Sequence, residues 1–204
     1  MSYYERRNTL SHLLGVLIFC ILGTILIKNR SENALYLSGN IVYVATAFAM
    51  FFFSSIYHAV SYQKAKKVLR VFDHSAIFLF IAGSYTPFVF RVLDGKMRII
   101  FISIIYLIAV AGLVYKGVTF NKFDKQIKIS VILYVIMGWM SVFLVRNIYL
   151  KANPLSLVLL ILGGITYTIG TYFYKKKNNP LNHVIWHYFV LGGAVFQYFA
   201  IYFI

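Results

Sequence analysis

His183 and His187 stand four residues apart, the separation that places two imidazoles on one face of a helix, where both can reach a single ion. Ser54 and His58 repeat that spacing. Three neutral imidazoles, from His58, His183 and His187, fit Zn2+ with one position left open, the arrangement of a catalytic site rather than a closed structural one. A carboxylate at Asp73 could orient an attacking water and take its proton, and Ser54 could donate to a substrate oxygen. Glu5, Asn8 and His12 are offset by three and seven residues, which puts them on one helical face as flanking candidates.

Plainer readings exist for each of these residues. A histidine pair alone serves as readily to hydrogen-bond a neighbouring helix or a lipid head group. A third histidine and a carboxylate at the same depth bring the metal reading level with that one. His74 faces about 100° away from Asp73 on a helix, so it reads as structural or as a spare ligand. The Ser54 hydroxyl has a second use in satisfying a backbone carbonyl one turn back.

The elements that must carry these side chains follow from composition. Of the 204 residues, 61% are hydrophobic and 12% charged, and the mean hydropathy is +0.77. Soluble domains average about 45–50% apolar and about 25% charged residues, so this is a membrane protein. A spanning helix needs about 20 residues, and the apolar runs place spans near 11–27, 37–61, 72–90, 99–115, 129–145, 154–174 and 183–203. Barrel strands would alternate in polarity, which Ile99 to Val114 does not. The expected fold is an all-α, seven-transmembrane helix bundle forming a single domain over residues 1–204. The run from Leu13 to Ile27 lacks a small-residue cleavage site and reads as an uncleaved first helix. Trp139, Trp186 and the many other aromatic residues read as interface belts and helix packing. Gly83, Gly163-Gly164 and Gly192-Gly193 read as points of close helix approach.

The charge of +15 falls in short gaps between apolar runs. Anionic lipid head groups are therefore the expected partner rather than nucleic acid. Cys20 is the only cysteine, which excludes disulfides within the chain and thiolate clusters. Thirteen Lys and Arg fall on one side (Arg6, Arg7, Lys64, Lys66, Lys67, Arg70, Lys116, Lys122, Lys125, Lys128 and Lys175 to Lys177). Seven fall on the other, so the N-terminus is expected in the cytoplasm and the C-terminus outside. A G-protein-coupled receptor would have the reverse orientation. A retinal protein would need a lysine between His183 and Ile204, where there is none. On this topology His58 ends span two, Asp73 opens span three, His183 and His187 open span seven, and Glu5, Asn8 and His12 start span one. All lie at cytoplasmic helix ends, which supports one shared site.

These segments resemble the hemolysin III family, the bacterial branch of the progestin and adipoQ receptor superfamily. The matching stretches are Glu5-Arg-Arg-Asn8-x-x-x-His12, Ser54-Ser-Ile-Tyr-His58, Phe72-Asp73-His74-Ser75-Ala76-Ile77, Gly83-Ser-Tyr-Thr-Pro87-Phe88, Met137-Gly138-Trp139, Gly164-Ile-Thr-Tyr167-Thr-Ile-Gly170 and His183-x-x-Trp186-His187. They run in order along nearly the whole chain. The resemblance implies seven helices, a cytoplasmic N-terminus and a zinc ion held at His58, His183 and His187, with Asp73 and Ser54 beside it. It also implies a bacterial, multi-pass protein of the cell membrane with a link to membrane homeostasis. The superfamily's kinship with alkaline ceramidases, which are zinc amidases, implies hydrolysis of a lipid amide or ester. The alternative is a non-enzymatic sensor or regulator of membrane lipid state with structural zinc, and a third reading is a lytic or conducting pore. A chain made almost wholly of membrane spans lacks the water-soluble form expected of a secreted pore-former.

Overall fold

The computed structural model describes residues 1–120, 127–176 and 178–204. Lys122, Lys125 and Lys177, counted in the charge asymmetry, lie outside the described residues, as does the side chain of Lys128. Described residues form helices and short connections only, and seven helical segments are long and apolar enough to cross a membrane. In chain order the helices are α1 (Tyr3–Asn29), α2 (Ala34–Ala59), α3 (Gln63–Val92), α4 (Gly95–Val118), α5 (Ile127–Trp139), α6 (Val145–Lys151), α7 (Pro154–Lys175) and α8 (Leu181–Tyr202). A short 3₁₀ stretch, Met140–Leu144, joins α5 to α6, and the three pieces together make the fifth span.

Local chemistry explains the boundaries. The Ser2 hydroxyl accepts from the Glu5 amide, and Asn33 and Asn153 side chains accept from Tyr36 and Leu155 amides, each satisfying an orphan donor of a first turn. Pro154 occupies the first turn of α7, where its missing N–H leaves no bond unmade. α1 and α3 begin about two turns earlier than their apolar runs. In α1 the extra turns are held because Asn8, Ser11 and His12 are buried against the bundle. In α3 the polar stretch from Gln63 continues the helix beyond the apolar zone, so Asp73 lies three turns inside α3 instead of opening it.

The fifth span is broken where the apolar run reads as continuous. Tyr85 of α3 donates its phenol hydrogen to the carbonyls of Met137 and Gly138, at 2.9 and 2.6 Å. Those carbonyls would otherwise bond amides one turn on, and a side chain inserted into the ladder turns it to 3₁₀ geometry.

α3 is the central helix. Every residue from Ala82 to Val89 is buried, so it is covered on all sides, by α2, α4, the fifth span and α8. α4 lies at the periphery, exposing Ile99, Leu107, Val110, Val114 and Val118. α1 packs between α2 and α8, and α7 against α8. Close approach depends on glycine at Gly83, where an added Cβ would sit 2.0 Å from the Thr46 hydroxyl. It depends on glycine again at Gly193, whose Cβ would sit 2.8 Å from the Tyr167 ring. Gly164 and Gly192 face only ordinary contacts. Lys116, counted above as a loop cation, is fully buried within α4, where its ammonium donates to the Ser130 hydroxyl and lies 6.0 Å from the Tyr134 ring centre.

Candidate metal centre

The start of α1, the end of α2, the first half of α3 and the start of α8 meet at one end of the bundle. There the chain gathers every residue singled out by spacing. The imidazoles of His58, His183 and His187 face one another. His183 Nε2 lies 3.3 Å from His58 Nε2 and 3.1 Å from His187 Nε2, and all three ligand atoms fall within 4.8 Å of one another.

The outer ring nitrogens settle which atoms face inward. His58 Nδ1 is 2.5 Å from a Glu5 carboxylate oxygen, which only accepts, so this nitrogen carries the hydrogen. Ser11 donates its hydroxyl hydrogen to the Asn8 carbonyl at 2.8 Å. Its oxygen is thereby left to accept from His187 Nδ1 at 2.9 Å, alongside the same carbonyl at 3.2 Å. Both Nε2 atoms are therefore acceptors. A hydrogen on His183 Nε2 could serve one of them and would leave the other facing a lone pair. A cation removes the conflict. Ligands about 2.05 Å from a tetrahedral zinc stand about 3.3 Å apart, close to the two separations observed, so the residues present fit that ion.

The remaining candidates surround this cluster in different roles. Glu5 also pairs with Lys66 at 2.6 Å, which fixes its carboxylate between α1, α2 and α3. His12 stacks on His187 with ring centres 3.7 Å apart and packs edge-on against Phe51. Its two nitrogens have no hydrogen-bond partner among the described residues. The Asn8 side chain is buried, but it is the residue's backbone carbonyl that reaches His187. Asp73 stands outside the imidazole group. Its carboxylate lies 3.2 Å from His74 Nδ1, and Ser54 borders the same cavity as Asp73. His74 Nε2 meets the Tyr174 hydroxyl at 3.0 Å, and Tyr134 donates to the His74 carbonyl at 2.8 Å. His74 Nδ1 donates to the Arg70 carbonyl at 3.0 Å, so both ring nitrogens of His74 are engaged within the protein.

Ser11 and Tyr174 are the members that sequence reasoning missed. Ser11 lies one residue before His12, where its spacing from Asn8 was visible. Tyr174 is one of 17 tyrosines, and nothing in its local sequence marks it.

Asp73, Ser54, His12, His183 and His187 all border a cavity of about 130 Å³ that runs into the membrane-spanning region. Along α3 its lining extends from Asp73 to Phe88, a distance of about 22 Å at 1.5 Å per residue. The far part is apolar or aromatic, with Phe80, Ile81, Tyr85, Phe88, Leu144 and Leu160 on its walls. The arrangement thus sets three convergent nitrogen donors and a carboxylate beside a long, slender apolar space.

Comparison with known proteins agrees with this architecture. The sequence profile described as "Haemolysin-III related" matches residues 3–198. The chain is 34% identical to Hemolysin-3 of Bacillus cereus over 201 residues, covering 98% of this chain and 90% of that one. It is 32% identical to the Hemolysin-3 homolog of Bacillus subtilis, again over 98% of this chain and 93% of the other. The human monocyte to macrophage differentiation factor is 27% identical over 205 residues, covering 98% of this chain and 83% of that protein.

Proposed function

This chain belongs to the haemolysin-III related family, and from that premise we propose that it is a zinc-dependent hydrolase of lipid amides or esters. The observation that carries the proposal is the convergence of three imidazole Nε2 atoms beside Asp73 at the head of an apolar cavity. His58, His183 and His187 would hold the ion, with Glu5 and the Ser11–Asn8 pair fixing the tautomers of two of them. Zinc, when bound, supplies a Lewis acid that polarises a scissile carbonyl and brings the pKa of water toward about 7. Asp73 supplies the base that accepts the proton of the attacking water. Ser54, on the wall of the same cavity, donates to a substrate oxygen. The apolar cavity takes an acyl chain and keeps bulk water from its length. The test is turnover of a panel of ceramides, acyl amides and phospholipids by purified protein, with zinc measured on the same samples. Turnover by zinc-loaded wild type supports the reading, and a uniformly inert panel counts against it.

A second reading has its own support. Ligands from α2 and α8, braced by Glu5 on α1, would let zinc clamp helices without chemistry, as in a sensor of membrane lipid state. In that case Asp73→Asn weakens zinc retention or stability with no chemical phenotype. A lytic or conducting pore has only the relatives' names in its favour.

We further place the site on the cytoplasmic face of a bacterial cell membrane, because the end that carries it also carries most of the cations. Cysteine labelling of intact cells tests this. A cysteine at Asn179 should be shielded from an impermeant reagent, and ready labelling there would reverse the orientation.

A further inference from the structure

Two buried histidines flank the cluster, and they differ in what their ring nitrogens meet. His74 has both engaged within the protein, at the Arg70 carbonyl and the Tyr174 hydroxyl. His12 is 4% exposed, and neither its Nδ1 nor its Nε2 has a hydrogen-bond partner among the described residues. Packing holds its ring. One face stacks on His187, with ring centres 3.7 Å apart and planes 24° from parallel, and the Phe51 ring lies against it at 82° with centres 5.2 Å apart. Phe51 fits there because Gly15, one turn along α1, has no Cβ, which would sit 2.3 Å from the Phe51 ring. A phenyl or aliphatic side chain would fill the same space without the cost of burying two unpartnered nitrogens, so packing does not account for a histidine. Metal binding does not account for it either. An imidazole nitrogen bonds in the plane of its ring, and an ion in the plane of His187 lies off the plane of the ring stacked on it. The ligand atoms that converge within 4.8 Å accordingly belong to His58, His183 and His187, without His12. What His12 does border is the apolar cavity, together with Ser54, Asp73 and His187.

We infer that His12 donates a hydrogen bond to the carbonyl oxygen of the acyl lipid held in this cavity, as a second donor beside Ser54. The inference rests on the hydrolase reading and deepens it. A carbonyl is what an acyl lipid brings to the polar head of an apolar cavity, and it only accepts, whereas an imidazole carries an N–H in either tautomer. The oxygen of the attacking water bonds to the acyl carbon while the carbonyl π pair moves onto the oxygen that faces His12. Asp73 takes one proton of the water and returns it to the amine or alcohol as the C–N or C–O bond breaks, and the pair on oxygen re-forms the carbonyl of the acid. His12 thus meets more charge midway through the reaction than at either end. Its hydrogen bond strengthens most where the barrier lies, so its contribution falls on kcat more than on KM. A donor of this kind contributes about 10²–10³-fold in kcat, against about fivefold in affinity for a carbonyl lipid at rest.

The test begins with binding to the intact metal-loaded protein in a neutral detergent. Fluorescence reads it, because Trp139 and Trp186, the only tryptophans in the chain, both border the cavity. Probes are heptadecenyl methyl ketone, which has a carbonyl and no leaving group, and nonadecene, a hydrocarbon of equal carbon count. His12→Phe keeps a ring to stack on His187 and removes the donor. It should weaken the ketone about fivefold, leave nonadecene unchanged and raise the C=O stretching frequency of the bound ketone, at unchanged zinc. If that variant fails to fold or loses zinc, His12→Gln and His12→Met decide the matter. Both lack the ring and only the first can donate, so the ketone should bind His12→Gln more tightly than His12→Met. Equal weakening of ketone and hydrocarbon in His12→Phe overturns the inference, because His12 then only packs. Wild-type ketone affinity in His12→Phe overturns it as well, as do equal ketone affinities in His12→Gln and His12→Met. With a lipid that is hydrolysed, His12→Phe should lower kcat by about 10²–10³-fold and change KM by no more than about fivefold. The hydrolase reading fails separately. A carbonyl preference that depends on His12, without turnover of any lipid, removes that reading and keeps the carbonyl site, whereas turnover unaffected by His12→Phe keeps the reading and removes the inference.

Discussion

At the end of the bundle away from the histidines, polar groups from the buried Asn40 to the exposed Asp94 meet as donor and acceptor. Arg91 donates to the Arg30 carbonyl at 2.6 Å and to the Asn40 side-chain oxygen at 3.2 Å. Asn40 in turn donates to the Arg30 carbonyl at 2.7 Å and to the Ser31 hydroxyl at 3.1 Å. Asp94 accepts from Arg98 at 2.9 Å and Lys151 at 2.6 Å. At the histidine end, acceptor faces acceptor: two Nε2 atoms with their hydrogens committed elsewhere converge on a third. Buried polar groups ordinarily find complementary partners. At the first end these groups, Arg30 Nε apart, find partners within the protein, whereas the second presents convergent acceptors that would suit a cation. Groups of the first kind fasten helices, and those of the second kind are the candidates for binding an ion.

The largest expected effect breaks the second end outright. His187→Ala should reduce zinc from about one per chain to near none, because a three-imidazole site does not survive as two. Chelation of wild type should lower its melting temperature by the same linkage, measured by metal analysis and thermal denaturation together. Undiminished zinc in His187→Ala would remove that residue from the ligand set. Next in size, Asp73→Asn should keep its zinc and lose hydrolysis by about 10²–10⁴-fold, the contribution of a general base. Amide or ester turnover at equal metal content reads this directly, and wild-type turnover would show that another group takes the proton.

Much of this site is legible in the sequence because helical spacing converts directly into a shared face. His183 and His187, Ser54 and His58, and the set Glu5, Asn8 and His12 are each periodic within one helix. Contacts between helices are not periodic in sequence. Ser11 reaches His187 across α1 and α8, and Tyr174 reaches His74 across α7 and α3, so neither carries a local mark. The same limit applies to the fold. Seven apolar runs give seven spans, but the break at Trp139 is made by Tyr85 from another helix, and hydropathy sees only an unbroken run. The burial of Lys116 is hidden for the converse reason. A lysine near a helix end reads as a loop cation until Ser130 and Tyr134 are seen around it.

A finer comparison sets the groups behind the ligands against the ion pairs at the other end. Glu5→Gln retains the shape but removes the charge that His58 Nδ1–H donates to, and should lower metal affinity by about 10–100-fold. Competition with a fluorescent chelator measures it, and an unchanged affinity would make Glu5 a fastener like Asp94. Asp94→Asn should have the smallest effect, with zinc unchanged and thermal stability slightly reduced, since exposed pairs contribute little. Lys151 beside it holds the Asp94 carboxyl below its usual value of 3.8. A depressed folded-state pKa means its contribution is present above that value and is lost as pH falls through the folded pKa. Melting temperatures of wild type and Asp94→Asn should therefore differ at neutral pH and converge in acid. Equal melting temperatures at neutral pH would show that the pair fastens nothing.

X-ray absorption at the zinc edge of the purified protein tests the central claim most directly. The expected spectrum shows stoichiometric zinc with three imidazole nitrogens and one oxygen ligand at about 2.0–2.1 Å. Protein that takes up no zinc when supplied with it, or zinc whose shell contains no imidazole, would contradict the account.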